Sequence, residues 1–119
     1  MSADLSTTPN DGLTKRLDEA AILLETVHQL RKDLNEDHIA LPATGDQAFE
    51  ELRASVLTLI EGWHRSEPSA FSRAINRVDL TERMVDEAMQ RGGVHELAGL
   101  IVMRCLTKVL SRKRFAGLG

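Results

Sequence analysis

Two Glu-x-x-His motifs in this chain have the spacing of metal ligands on a helix. The first, ETVH, joins Glu25 to His28, and the second, EGWH, joins Glu61 to His64. Residues three apart lie on neighbouring turns of one helix face. Such pairs supply part of the ligand set in carboxylate-bridged di-metal bundles, which need two further carboxylates from two other helices, all directed inward.

The apolar pattern turns both glutamates away from the helix faces that would have to enclose a metal. With a rotation of about 100° per residue, Glu61 falls outside the apolar stripe of its helix, and Glu25 falls outside that of its own. Both histidines fall at the margins. We therefore expect no metal and no other cofactor, and we keep as an alternative a metal-binding carboxylate bundle that uses Glu25, His28, Glu61 and His64.

A third acidic stretch, DLNEDH, begins like a calcium-binding EF-hand loop, because Asp33, Asn35 and Asp37 occupy its first three ligand positions. His38 replaces the glycine of that loop, and Thr44 replaces its bidentate glutamate. We interpret the stretch as the acidic, frayed end of the first helix.

The C-terminal part of the chain contains a candidate surface for a polyanion. Residues 1–62 include 12 acidic and 5 basic residues, whereas residues 63–119 include 6 acidic and 10 basic ones. A basic stripe at four-residue spacing can follow a phosphate backbone, although only Phe115 offers a ring for stacking on bases. Nucleic-acid binding is therefore a second alternative, through the basic stripe formed by Arg104, Lys108, Arg112, Lys113 and Arg114.

The stretch AINRVDLTERMVDEAM has the two short helices and tight corner of a helix-turn-helix. Asp79 stands where the corner glycine is usual, and Glu82, Asp86 and Glu87 would face DNA phosphates. The pattern favours a structural corner. No other motif for catalysis is present, and the single cysteine, Cys105, lies in an apolar run that predicts a buried, inert thiol.

The apolar periodicity predicts an all-α fold, a single small bundle of about five helices, with two long, two short and one long C-terminal core helix. We expect a disordered tail at residues 1–12 and one domain at residues 13–119. Long helices are expected near 13–37, 46–65 and 94–115, with a third helix that has Pro68 in its first turn and a fourth that follows Asp79 and is stopped by RGG. In the first helix the apolar series that includes Leu17 and Leu24 is expected to face the core. Thr44 with Gln47, and Asp79 with Glu82, have the spacing of capping boxes for the second and fourth helices.

These features predict a small helical module without catalytic activity that acts in protein interaction, as an adaptor or as a regulator. A lone cysteine and the lack of a signal peptide or an apolar run of about 18 residues lead us to expect a cytoplasmic protein away from membranes. The expected partner is another protein or a second copy of the chain, and a homodimer would join the acidic half of one copy to the basic half of the other.

Overall fold

The computed structural model describes residues 12–118, with side chains as far as Arg114. These residues form helices and no strand, which confirms the predicted all-α class. A short 3-10 helix, η1 (Lys15–Asp18), is followed by α1 (Ala20–Leu34), α2 (Ala48–Ser66), α3 (Pro68–Val78) and α4 (Glu82–Leu118). Apart from Gly12, the tail predicted at residues 1–12 lies outside the described residues.

The first predicted helix is interrupted and ends earlier than expected. Glu19 adopts an extended conformation (φ −85°, ψ 118°) between η1 and α1. The break rotates α1 relative to a continuous helix, so Ile22 and Leu23 are buried while Leu24, predicted to face the core, is 41% exposed. Asn35, in the left-handed conformation (φ 54°, ψ 48°), ends α1 at Leu34 rather than at residue 37.

The ends of α2 and α4 do not use the two predicted capping boxes. Gln47 precedes α2 without a side-chain hydrogen bond, so the box expected from Thr44 and Gln47 does not form. Asp79 takes a left-handed conformation that ends α3 (φ 73°, ψ 45°), which removes it from the start of the next helix. Thr81 replaces it, because its Oγ1 accepts the N–H of Met84 at 3.1 Å.

A break at Gly93 divides α4 into residues 82–92 and 94–118, as the sequence predicted. Gly93 has φ 70° and ψ −153°, a conformation that costs a glycine little. The second part is the core helix, and it packs against both α1 and α2. Its fully buried residues are Leu97, Ala98, Ile101, Val102, Cys105, Leu106 and Val109. Within residues 12–118, none of the helices is both long enough and apolar enough to span a membrane.

Candidate functional site

The two Glu-x-x-His motifs do not meet in the structure. Glu25 is half-buried on α1 and binds Lys113, with 2.6 Å between Oε2 and Nζ, whereas His28 is exposed. Glu61 and His64 are exposed on α2, and the His64 ring lies edge-on to Phe71 with 5.1 Å between centroids. Over the described part of the chain, no three His, Cys, Asp or Glu side chains are grouped so that they could hold a metal ion.

The predicted basic stripe is largely engaged within the molecule. Arg104 binds Asp79 at the corner between α3 and α4, with 3.0 Å between Nη2 and Oδ2. The next side chains, Lys108, Arg112 and Lys113, contact α1. Arg114 is exposed and makes no hydrogen bond or ion pair with another described residue. Few of the five charges are therefore free to bind an anionic polymer without rearrangement.

The α1 side of this contact repeats the four-residue spacing of the α4 side. Asp33 binds Lys108, with 2.8 Å between Oδ2 and Nζ. One turn earlier, the Gln29 Oε1 accepts a hydrogen bond of 2.7 Å from Arg112 Nη1. We call the set Glu25, Gln29, Asp33, Lys108, Arg112 and Lys113 the polar ladder. Residue numbers rise along α4 as they fall along α1, so the two helices run antiparallel.

Asp33 is the centre of the polar ladder and is only 5% exposed. Besides Lys108, it accepts hydrogen bonds from Gln29 Nε2 at 3.0 Å and from Cys105 Sγ at 3.6 Å. Lys108 also donates to the carbonyl oxygen of Arg77 at 3.0 Å, near the end of α3. A buried carboxylate needs such partners, because an unpaired charge in this place would be strongly destabilising. The interpretation of Asp33 as part of a frayed helix end was therefore wrong.

Two ionisable groups of this region have shifted pKa values. The hydrogen bond from Lys113 lowers the pKa of the Glu25 carboxyl below its ordinary value. Burial, followed by the nearby Asp33 carboxylate, raises the pKa of the Cys105 thiol. A thiol that stays protonated is a poor nucleophile and a poor metal ligand. The polar ladder thus joins α1, α3 and α4 but offers no activated catalytic group.

The connection between α1 and α2, residues 35–47, lies near α1 at one end and near η1 at the other. At one end, Arg31 donates from Nε and Nη2 to the Ile39 carbonyl oxygen, at 3.0 and 2.7 Å. At the other end, Gly45 and Asp46 line a cleft of about 300 Å³ together with residues of η1. Because η1 precedes α1, the connection must run back from Arg31 towards the start of α1.

Three large apolar side chains of the described residues are exposed. Leu41 lies within the connection between α1 and α2 and is 50% exposed, while Leu24 is 41% and Leu13 is 37% exposed. Leu24 precedes Arg31 by two helical turns and so lies on the same face of α1 as Arg31, which binds the connection. Leu13 adjoins Thr14, which lines the cleft beside Gly45. We call Leu13, Leu24 and Leu41 the leucine edge.

Sequence reasoning found the basic side chains and missed their partners. The missing signal is the spacing of Glu25, Gln29 and Asp33, which matches that of the basic stripe. The leucine edge was missed because Leu24 fits a continuous helical pattern and was assigned to the core.

Comparisons with known proteins give no relative from which a function could be inferred. The chain matches no protein-family model, and its comparison with curated proteins and with solved structures gives no match. Function must therefore be argued from the chain's own geometry.

Proposed function

We propose that this protein is a cytoplasmic, non-catalytic interaction module that binds a partner protein through the leucine edge. The exposed side chains of Leu13, Leu24 and Leu41 support the proposal. Single exposed leucines are common on soluble domains, but three that act together would give a partner a surface from which water can be displaced. The polar ladder supports the same role by holding α1, and with it the connection, in one register.

The proposed partner presents an apolar surface to the leucine edge. A loop laid along a helix is narrow, so the best-fitting partner element is an amphipathic helix with apolar residues at intervals of three and four. A second copy of the chain is one source of such a helix. Acidic and basic halves already pair within one chain through the polar ladder, so a homodimer joined by those halves would have to use other charges.

Site-specific photo-crosslinking tests the leucine edge directly. A benzoylphenylalanine in place of Leu24 or Leu41 is expected to form a discrete adduct in cells, whereas the same group in place of the exposed Gln90 is the control. The mass of the adduct distinguishes a second copy from another protein. Equal labelling from all three positions, or labelling from none, would count against the proposal.

Surface variants supply the matching affinity test. Leu41→Ser removes half-exposed apolar surface at little cost to folding, and we expect it to weaken the complex. Gln90→Ser, at an exposed polar position of α4, is the control. A complex that keeps its affinity in the double variant Leu24→Ser, Leu41→Ser is not formed by the leucine edge.

Nucleic-acid binding through the basic stripe stays a prediction. It would require Lys108 and Lys113 to exchange Asp33 and Glu25 for phosphates, or would depend on the outer charges of Arg112 and Arg114. An electrophoretic shift that persists near physiological salt and disappears in the Arg112→Gln, Arg114→Gln variant would favour it. Metal binding by the Glu-x-x-His motifs also stays an alternative, which elemental analysis of protein purified without chelator addresses.

A further inference from the structure

Arg53 of α2 occupies a notch on the core helix. Its guanidinium lies against Gly99, where an added Cβ would come within 3.1 Å of Nε and 3.2 Å of Cζ. On another side, Cζ is 4.9 Å from the centre of the Phe49 ring, a cation–π distance. Only 21% of the Arg53 side chain is exposed. The position of the guanidinium is therefore fixed by packing before any ligand binds.

The polar partners of Arg53 are too few for a half-buried cation. Nε is buried and has no acceptor within the described part of the chain. The nearest carboxylate, that of Glu50, lies 3.6 Å from Nη2 and is 56% exposed. Nη1 faces the His95 ring at 3.3 Å from both ring nitrogens, of which a neutral imidazole can use only one as an acceptor.

His95 therefore stands beside a positive charge without a firm carboxylate partner of its own. The groups described around the pair are Phe49 and Glu50 from α2 and Gly99 from α4. Glu96, next in sequence to His95, pairs with Arg91 at 3.5 Å. Protonation of His95 would place two cations within 3.3 Å, an arrangement that becomes favourable when one anion accepts hydrogen bonds from both.

We infer that Arg53 and His95 form a proton-linked oxyanion site on the surface between α2 and α4. The guanidinium and the imidazolium donate hydrogen bonds to one oxyanion, a carboxylate or a phosphate group, and Glu50 moves aside into solvent. Charge-assisted hydrogen bonds of this kind are short and directional. The site uses side chains of α2 and α4 and none of the leucine edge, so it would add an acid-sensitive contact to the proposed apolar one.

Titrations followed by NMR of the histidine ring protons test the site in the full chain. Acetate stands for a carboxylate and sulfate for a phosphate group, because neither changes its charge much between about pH 6 and pH 8. Chloride keeps the ionic strength constant. We expect a saturable shift of the His95 signals, with an affinity at least about tenfold higher at the lower pH, because imidazoles change charge in this range. A response to sulfate alone indicates a phosphate-type ligand, and a response to both includes carboxylates.

Four variants distinguish binding at this site from general electrostatic attraction. His95→Gln is expected to weaken binding and abolish its pH dependence, and Glu50→Gln is expected to strengthen binding several-fold by removing the competing carboxylate. Arg83→Gln removes one positive charge from an exposed pair elsewhere on α4 and should leave the affinity unchanged. Arg53→Met should abolish binding, and if it does not fold, the first two variants decide. Equal shifts of His28, His38 and His64, pH dependence retained in His95→Gln, or weaker binding in Glu50→Gln would each overturn the inference.

Discussion

Asp33 and Lys108 are 75 residues apart in sequence, yet their Oδ2 and Nζ atoms lie 2.8 Å apart inside the bundle. Because Lys108 also binds the Arg77 carbonyl oxygen, this pair holds α1, α3 and α4 at one point. A buried pair of this kind adds little net stability relative to well-packed apolar residues, since both charges lose their hydration. Its effect is to favour one register of α1 on α4 over slipped alternatives.

Removing one partner of the pair is predicted to cost more than removing both. Lys108→Met leaves the Asp33 carboxylate buried with only Gln29 and Cys105 as donors, and we expect a loss of about 3 kcal/mol in the free energy of unfolding. The double variant Asp33→Leu, Lys108→Met should recover much of this loss. Urea denaturation of the four members of this double-mutant cycle measures the coupling. Additive effects of the two changes would show that the residues act independently.

The Cys105 thiol is predicted to be inert in the folded protein. Burial raises its pKa, and the Asp33 carboxylate adds to the effect, so the thiolate is scarce at neutral pH. Labelling with a disulfide reagent should therefore proceed only as fast as the protein opens, and should accelerate sharply in urea. Rapid stoichiometric labelling of the native protein would show that the thiol is accessible.

The ion pair of Glu25 with Lys113 is predicted to stabilise the fold at neutral pH and to lose this effect at acid pH. Because the pKa of Glu25 is lowered by folding, the contribution is present at neutral pH and is lost as pH falls below the ordinary glutamate value towards the lowered one. Stability curves of the wild type and Glu25→Gln should therefore converge at acid pH. Glu61→Gln, at an exposed position of α2, is the control. A constant difference at all pH values would contradict the assignment.

Helix existence could be read from the sequence because apolar spacing reports a buried face. The core stripe of α2 and the stop at Gly93 were predicted on this basis. The rotation of α1 could not be predicted, because the extended Glu19 resets the phase of the apolar pattern. A shift of one residue is enough to move Leu24 from the core to the surface. The left-handed Asp79 misled in the same way, since it ends α3 instead of starting α4.

The ion pairs between α1 and α4 were even harder to predict from the sequence. The spacing of Glu25, Gln29 and Asp33 complements the basic stripe, but only the antiparallel contact of α1 with α4 shows that they meet. The notch that Gly99 provides for Arg53 depends on the close approach of α2 to the core helix. No local pattern in the sequence reports such a contact.

The observed cap at Thr81 and the predicted cap at Thr44 can be compared by mutation. Thr81→Ala removes the acceptor of the Met84 N–H and should lower the free energy of unfolding by about 1 kcal/mol. Thr44→Ala is the matched control, because no side-chain cap forms at the start of α2. Thermal or urea unfolding measures both changes. Equal losses of stability in the two variants would support the capping box predicted from Thr44 and Gln47.

Replacing Gly93 by alanine is predicted to lower the free energy of unfolding, whereas the same change at Gly62 is predicted to raise it. An alanine there would meet no neighbouring atom, but its backbone would be held at φ 70° with ψ −153°, which strains any residue with a Cβ by about 1–3 kcal/mol. Gly62 also has open space, yet it lies inside α2 in helical conformation, so Gly62→Ala should stabilise by about 0.5–1 kcal/mol. Opposite signs in urea denaturation are therefore expected. A stabilising Gly93→Ala would mean that residue 93 does not hold this positive φ and that residues 82–118 form a continuous helix.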